Sequence, residues 1–524
     1  MIIPNAKLKL DDKVLKYRIY TLSKPLMPND SIKIHYELEK ITKGFENEVS
    51  FTSLTQNGTF FNNGDITPTI GYDANVEIAD KNKRIEFKLP KRSRMPKLEP
   101  NNLVARSKNY FHNDFDWVHI TTNISTSFDQ IAVAPGSLIK SWKAAKRNYF
   151  TYKLDHKSIA FFSFISAKYE VARKKYNGIN LEVYYHKDHA VNVPNMLKSM
   201  EKSLDYYTKN YGPYYHKQCR IIEFPRYASF AQAFPGTMPY SEEIGFITDL
   251  RDVNKDAIDV PFYVVAHEMA HQYWAHQVIG ANMQGAEMFS EGFAEYSSLM
   301  VMEKEYGKDK MKKFLTYEMN GYLSGRSREY EGENPLFKTE NQPYIHYQKA
   351  SVVMYYFKEM IGEDKVNLAM QNLVKKFGYK NPPYPTTVDV LAEFRAVTPT
   401  DKLYLIADLF EKITLFSNRT KEVSYKKVGS EYEVTIKTIS EKFYANSQGK
   451  ETATPLNDFI DIGIFAKSNK SDVLGKVLVY KRLKITKRDN TFIFKTKEKP
   501  DEAGIDPNNY LIDKIPDDNL KTIE

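Results

Sequence analysis

Only one cysteine, Cys219, occurs in 524 residues. Intramolecular disulfides and cysteine-built metal clusters are therefore excluded, and a reducing compartment such as the cytoplasm is expected. No apolar run approaches the ~18 residues a membrane helix needs. The most apolar window, residues 158–167, reads instead as a buried strand. The start, Met1-Ile-Ile-Pro-Asn-Ala-Lys, lacks the basic and apolar sections of a signal peptide. A soluble chain with no membrane contact of its own is the expectation. Neither sign of charge dominates, since 75 basic against 66 acidic residues leave +9. No basic stripe stands out, so a nucleic-acid partner is not expected. Internal repeats and low-complexity segments are also lacking.

What is present describes a well-packed globular protein: 42% hydrophobic, 14% aromatic and 27% charged residues. The length calls for several domains, and the patterning supports an α+β multidomain chain. Residues 1–176 read as an N-terminal β domain, because residues 31–38, 84–89 and 118–124 alternate apolar and polar side chains. Residues 177–420 read as an α/β unit with a helical extension. Strands are expected at 180–185, 219–224 and, after a loop at 235–240, at 244–247, and helices from Val193, from Asp259 to before Gly280, and over 287–306, 348–361 and 401–415. Alternation returns at Tyr432, Val434 and Ile436 and again at 460–465, 476–483 and 491–494. Residues 421–524 are accordingly expected to form a C-terminal β-sandwich.

The chemistry concentrates at His267-Glu268-Met-Ala-His271, inside an apolar run with helical character. Two histidines four apart project from one face of a helix, one turn apart. Both rings can then reach one zinc ion at ~2.0–2.1 Å, and Glu268 can act as base toward a water there. The competing reading is three polar residues on an otherwise buried helix. A catalytic zinc takes three protein ligands, and Glu287, Glu291 and Glu295 share one face of a second helix. Spacing alone leaves all three open, and a solvated acidic stripe is the alternative. Met288, Phe289, Phe293 and Tyr296 make that helix a buried one, and a buried carboxylate without a cation is costly.

His267-Glu268-Met-Ala-His271 followed by Ser290-Glu291-Gly292-Phe293-Ala294 resembles the zinc aminopeptidases of the aminopeptidase N type, the gluzincins. The resemblance implies a thermolysin-like fold for the catalytic domain, Zn2+ held by His267, His271 and Glu291, and Glu268 as the general base. Glu295, one turn on, would orient a ligand histidine from behind. Two departures occur: Ser290 replaces the family's Asn, and one extra residue separates the motifs, expected in the loop at 280–285.

Upstream, the family's Gly-x-Met-Glu-Asn loop binds the substrate's α-amine, and the matching place is Ser241-Glu242-Glu243-Ile244-Gly245. Glu242 falls on the family Glu, with Glu243 beside it, although Ser241 and Glu243 replace Met and Asn. Downstream, Tyr347-Gln-Lys-Ala350 resembles the family's Tyr-x-Lys-Gly segment, which implies that Tyr347 donates to the oxyanion. His276 and His346 read as structural hydrogen-bonders. The runs Ala275-His-Gln-Val-Ile-Gly-Ala281 and Glu340-Asn-Gln-Pro-Tyr-Ile-His-Tyr347 resemble a bacterial subgroup. There the peptidase unit follows a membrane region like an ABC-transporter permease, which implies a membrane-tethered full-length protein.

The expected activity is that of a zinc metallopeptidase, an aminopeptidase acting on peptides with a free N-terminus. Its rivals are a zinc endo- or oligopeptidase and a catalytically weak zinc-binding interaction domain of a membrane complex. Preferred residue, oligomeric state and physiological substrate are not written in the sequence.

Overall fold

A computed structural model describes residues 1–42, 53–73, 76–112, 114–249, 257–469 and 473–523. At its centre a four-stranded sheet runs in the order Glu170–Tyr176, Ile179–Tyr185, Gln218–Phe224, Thr237–Ser241. The first pair is antiparallel and the other two pairs are parallel. Helix Val193–Asn210 makes the crossover that a parallel pair requires. Every residue of Gln218–Phe224 is buried, as befits a strand covered on both faces.

Helix Val260–Ala270 meets this sheet where Cys219 Sγ lies 3.2 Å from Met269 Sδ, and the helices Phe293–Tyr306, Met311–Ser327, Ala350–Ile361, Glu363–Phe377 and Thr387–Val397 follow in the chain. One continuous cluster of buried apolar side chains runs from Leu181 through these helices to Ile523. The C-terminal strands form two four-stranded sheets. One joins Ile413–Val428, Glu431–Ala445, Glu451–Thr454 and Asp489–Thr496. The other joins Val477–Ile485, Asp458–Phe465, Glu502–Ile505 and Leu520–Thr522. Among the described residues no helix is long and apolar enough to cross a membrane.

The N-terminal third departs most from expectation. Part of the expected β domain lies outside the described residues. The rest is a set of small sheets: the hairpin Ala6–Asp12 with Tyr17–Leu22, and groupings of two or three short strands between residues 59 and 167. Residues 31–38 form no strand; His35 alone bridges to Ile2, and Ile32, Tyr36 and Leu38 are exposed. Residues 84–89 do not form a strand either, because helix Lys81–Glu86 occupies most of them. Asp80 caps that helix by accepting from the Lys83 N–H at 2.7 Å. Arg84 is its buried residue, donating to the carbonyls of Ile78 and Pro90 at 2.8 Å each. Ile85 and Phe87 point to solvent, so the alternation there marks no buried face.

Two boundaries also shift. Strand Glu170–Tyr176 pairs with Ile179–Tyr185, so the central sheet reaches back across residue 176. Residues 401–415 are not one helix: a short helical stretch ends at Glu411 and a strand begins at Ile413. Closer to the site, residues 235–240 are not a loop, since Gly236 at φ +66 closes a tight turn and Thr237–Ser241 enters the sheet. Residues 244–247 are not a strand; Glu242–Phe246 is a π-helical turn.

Candidate active site

Helix Val260–Ala270 carries the histidine pair. Asp259 Oδ1 accepts from the Phe262 N–H at 3.0 Å, and Pro261 sits in the first turn. Asp259 is itself held by Asn195 Nδ2 at 2.8 Å and by the Tyr306 hydroxyl at 2.7 Å. The helix ends well before Gly280. Ala275, at φ +95, turns the chain, and the Trp274 carbonyl returns to 3.1 Å from His271 Nδ1.

That contact decides a proton position. A carbonyl only accepts, so Nδ1 of a neutral His271 holds the proton and its Nε2 is bare. Glu295 Oε1, 3.1 Å from His267 Nδ1, has the same effect on the other ring. The two Nε2 atoms face each other at 3.0 Å. Glu291 Oε2 stands 3.4 Å from each. Three lone-pair donors thus converge in a nearly buried place, with His267 and His271 only 7% and 8% exposed. Such a trio repels itself unless a cation sits among it.

The fit to zinc can be tested on spacing. Ligand atoms at ~2.0–2.1 Å around a tetrahedral ion lie about 3.3 Å apart. The 3.0, 3.4 and 3.4 Å separations are close to that value. Two imidazoles and a carboxylate are also a donor set of catalytic zinc sites that leave a position open.

The electrostatics agree. Burial pulls His267 down, but Glu295 and Glu291 outweigh it and hold the ring well above the ordinary imidazole value. At His271 burial is likewise outweighed, chiefly by Glu291. Burial pushes Glu291 up, yet His271 and His267 hold it well below the usual carboxylate range. Glu268, 5% exposed, is pushed up by burial against the pull of His271 and His267. Its Oε2 finds no hydrogen-bond partner among the described residues. A carboxyl beside the ligands with a spare oxygen is placed to take a proton.

The three glutamates that spacing left open have three different fates. Glu291 converges on the histidines. Glu295 lies behind His267, its Oε2 accepting from the Tyr263 hydroxyl and from Ser351 Oγ at 3.5 Å. Glu287 turns away, accepting from the Asn341 N–H at 2.7 Å. Glu291 sits on a π-helical turn, Met288–Gly292, ahead of helix Phe293–Tyr306. The loop expected to absorb the extra residue is tightly tied: Asn282 N–H donates to Lys108, Gln284 to Pro96 and Gly285 to Thr339. The π turn, with its i→i+5 bonding, holds one residue more than an α turn.

Tyr347 comes from another π turn, Tyr344–Lys349. Its ring centroid is 6.1 Å from that of His267, and burial, with Glu291 beside it, pushes its hydroxyl pKa up. Gly292 permits the close crossing, since a Cβ there would stand 3.3 Å from Ala350 Cβ. Gly325 does the same from below, where a Cβ would meet Tyr344 Cβ at 2.2 Å. Buried Lys349 anchors the turn, donating to Glu333 Oε1 at 3.0 Å, while Arg326 Nε holds Glu333 Oε2 at 2.7 Å. His276 Nε2 lies 3.0 Å from the Ala233 carbonyl, and burial pulls that ring down to about 3. His346 packs against Tyr347, and burial pulls it down to about 4.

One contributor was not legible. Tyr110 reaches the ligand helix from the N-terminal third, near Glu287 and Glu291; burial, then those carboxylates, raises its pKa. Its N–H donates to the Gly280 carbonyl at 3.0 Å, and Phe111 stacks on His276. Among 37 tyrosines no local pattern marks this one.

Glu242 and Glu243 open the π-helical turn that follows the strand Thr237–Ser241. The strand Thr237–Ser241 begins beside the histidine motif, where the Gly236 N–H donates to Gln272 Oε1 at 2.8 Å. It then runs along the sheet edge past Tyr240, which feels the charges of Glu268 and Asp259, to Glu242. Glu242 ends beside the Arg226 N–H at 3.2 Å, its carboxylate within 4.8 Å of ligand atoms of His189 and Glu223. Glu243 is exposed. The segment that lies against the motif is 230–234: Phe234 O accepts from Gln272 Nε2 at 3.1 Å, and Ala233 O meets His276. Its residues, Phe-Ala-Gln-Ala-Phe, include no carboxylate.

The fold thus brings two imidazoles and two carboxylates together in one buried place. Residues 195–409 match the Peptidase family M1 domain. Over 212 residues the chain is 24% identical to endoplasmic reticulum aminopeptidase 2 of Homo sapiens. That alignment covers 39% of this chain and 22% of the relative, so the chain spans under a quarter of the length of the relative it matches.

Proposed function

We propose that the chain is a zinc-dependent metallopeptidase acting on the N-terminal residues of peptides. The observation that carries the peptidase reading is the convergence of His267 Nε2, His271 Nε2 and Glu291 Oε2 with Glu268 alongside. Zn2+ held by these three would supply Lewis-acid polarisation of the scissile carbonyl and a lowered water pKa. Glu268 takes the proton from the attacking water and returns it to the leaving amine. Its burial raises its basicity for the first task. Tyr347 donates its hydroxyl proton in a hydrogen bond to the oxyanion, and burial keeps that hydroxyl protonated. Glu295 and the Trp274 carbonyl hold the two imidazoles in the tautomer that presents Nε2.

The N-terminal direction draws its support from the aminopeptidase named among the relatives and from the motif resemblance. A second reading, an endo- or oligopeptidase, is favoured by one observation: the segment against the motif bears no carboxylate and Glu242 lies away from the ligands. Paired substrates separate the two. A free-amine peptide should be cleaved at its first bond and its N-acetyl twin spared. Equal cleavage of both would leave the endopeptidase reading standing.

A further inference from the structure

We infer that the carboxyl ends of the parallel strands hold a second cation site, formed by His189, Glu223 and Glu242, for a divalent transition-metal ion such as Mn2+ or Zn2+. The ligand atoms of these residues all lie within 4.8 Å of one another. Each comes from a different strand end. His189 follows Ile179–Tyr185 by four residues, Glu223 is the next-to-last residue of Gln218–Phe224, and Glu242 immediately follows Thr237–Ser241. In open parallel sheets this edge is where ligands bind, because loops diverge there and leave a crevice. Such a crevice is present: a cavity of about 440 Å³ lined by Tyr169, His186, Lys187 and His189, among others, opens beside the cluster.

The first coordination partners are already oriented. Glu223 is completely buried. Its Oε2 accepts from the His186 N–H at 2.6 Å and its Oε1 meets His189 Nδ1. Glu242 Oε1 accepts from the Arg226 N–H at 3.2 Å, which fixes its carboxylate on the rim. His189 and Glu242 are half-buried, so an ion can enter from the cavity and keep water on its open side. Two carboxylates face one imidazole there. One nitrogen with two oxygens suits Mn2+ or Zn2+ better than Ca2+, which takes six to eight oxygens. The site stands apart from the histidine motif by the length of a strand and does not rest on the peptidase reading.

The test is metal uptake, independent of turnover. Protein loaded with one equivalent of Zn2+ is titrated with Mn2+ and followed by electron paramagnetic resonance. The wild type should bind one Mn2+ per chain and melt at a higher temperature when it does. His189→Asn and Glu242→Gln should each weaken uptake by about tenfold or more while the zinc equivalent stays. His189→Asn should also leave peptide hydrolysis unchanged. A wild type that takes up neither Mn2+ nor a second Zn2+ would reduce the cluster to an ion pair and overturn the inference. So would variants that bind as the wild type does. A Glu242→Gln protein with unaltered uptake but a raised KM for free-amine peptides alone would overturn it in favour of an amine site.

Discussion

Among the described residues histidine and glutamate gather in two clusters, and the two differ in what engages the imidazole nitrogens. At His267 and His271 each Nδ1 is engaged from behind, by Glu295 and by the Trp274 carbonyl. Their Nε2 atoms and Glu291 Oε2 face one another across a gap that a cation would fill. At His189 the ring meets Glu223 Oε1 directly through Nδ1. In the first cluster three facing atoms are left for an ion, whereas in the second an ion must displace the contact between His189 Nδ1 and Glu223 Oε1. Counting donor residues does not separate the two. The fate of the second ring nitrogen does, and it predicts tight metal retention at the first cluster and weaker, exchangeable binding at the second.

The largest effect that would sharpen this contrast is on turnover. Glu268→Gln is expected to lower kcat by about 10²–10⁴-fold while leaving one tightly held zinc, since it removes a proton acceptor and no ligand. Loss of zinc together with activity would break the division of labour drawn here. Tyr347→Phe should lower kcat by about 10²–10³-fold with KM little changed, read in steady-state kinetics on the same peptide.

Weaker effects probe the support behind the ligands. Glu295→Gln should weaken zinc affinity by about 10–100-fold, measured by competition with a chelator. If the two clusters differ for the reason given, the same chelator should strip the second cluster first. Gly325→Ala forces a Cβ to 2.2 Å from Tyr344 Cβ. It should cost about 1–3 kcal/mol of stability and lower kcat more than zinc content, because Tyr344 begins the turn that carries Tyr347.

A third buried carboxylate serves as the control without histidine or metal. Asp506, in the C-terminal sheets, accepts from the N–H groups of Tyr510 and Leu511 at 3.0 Å each. Burial pushes it up to about 7 from an ordinary 3.8. Between these values the folded state keeps a proton that the unfolded state has lost, so stability falls as pH rises through the window. The slope from this group is at most about 1.4 kcal/mol per pH unit. Asp506→Asn should flatten the decline between pH 4 and 7 in thermal melts, the smallest of the expected effects.

How much was legible varies along the chain for physical reasons. The strands at 180–185 and 219–224 and the helix from Val193 were readable because each buries a full face, so the hydrophobic pattern and the structure share a cause. The N-terminal third misled because its alternating residues, such as Ile32, Ile85 and Phe87, are exposed and no packing enforces the pattern. Around the site, the readings at 235–247 failed where a tight turn at Gly236 and a π-helical turn at Glu242 replaced the expected loop and strand. The turns that carry Glu291 and Tyr347 are π-helical as well, and a widened turn leaves no periodic trace in a sequence.

What the amino-acid order determined by itself is local: two histidines one helical turn apart, a glutamate between them, and three further glutamates along one face of a later helix. Helical geometry links spacing to direction over a few residues, so such information needs no fold. Which of Glu287, Glu291 and Glu295 would converge, that Tyr110 would arrive from the N-terminal third, and that Glu242 would be carried off to His189 and Glu223 were decided by tertiary structure alone. The reason is that these depend on strand direction and on the crossing of segments at Gly292 and Ala350, where the positions that meet are distant in sequence.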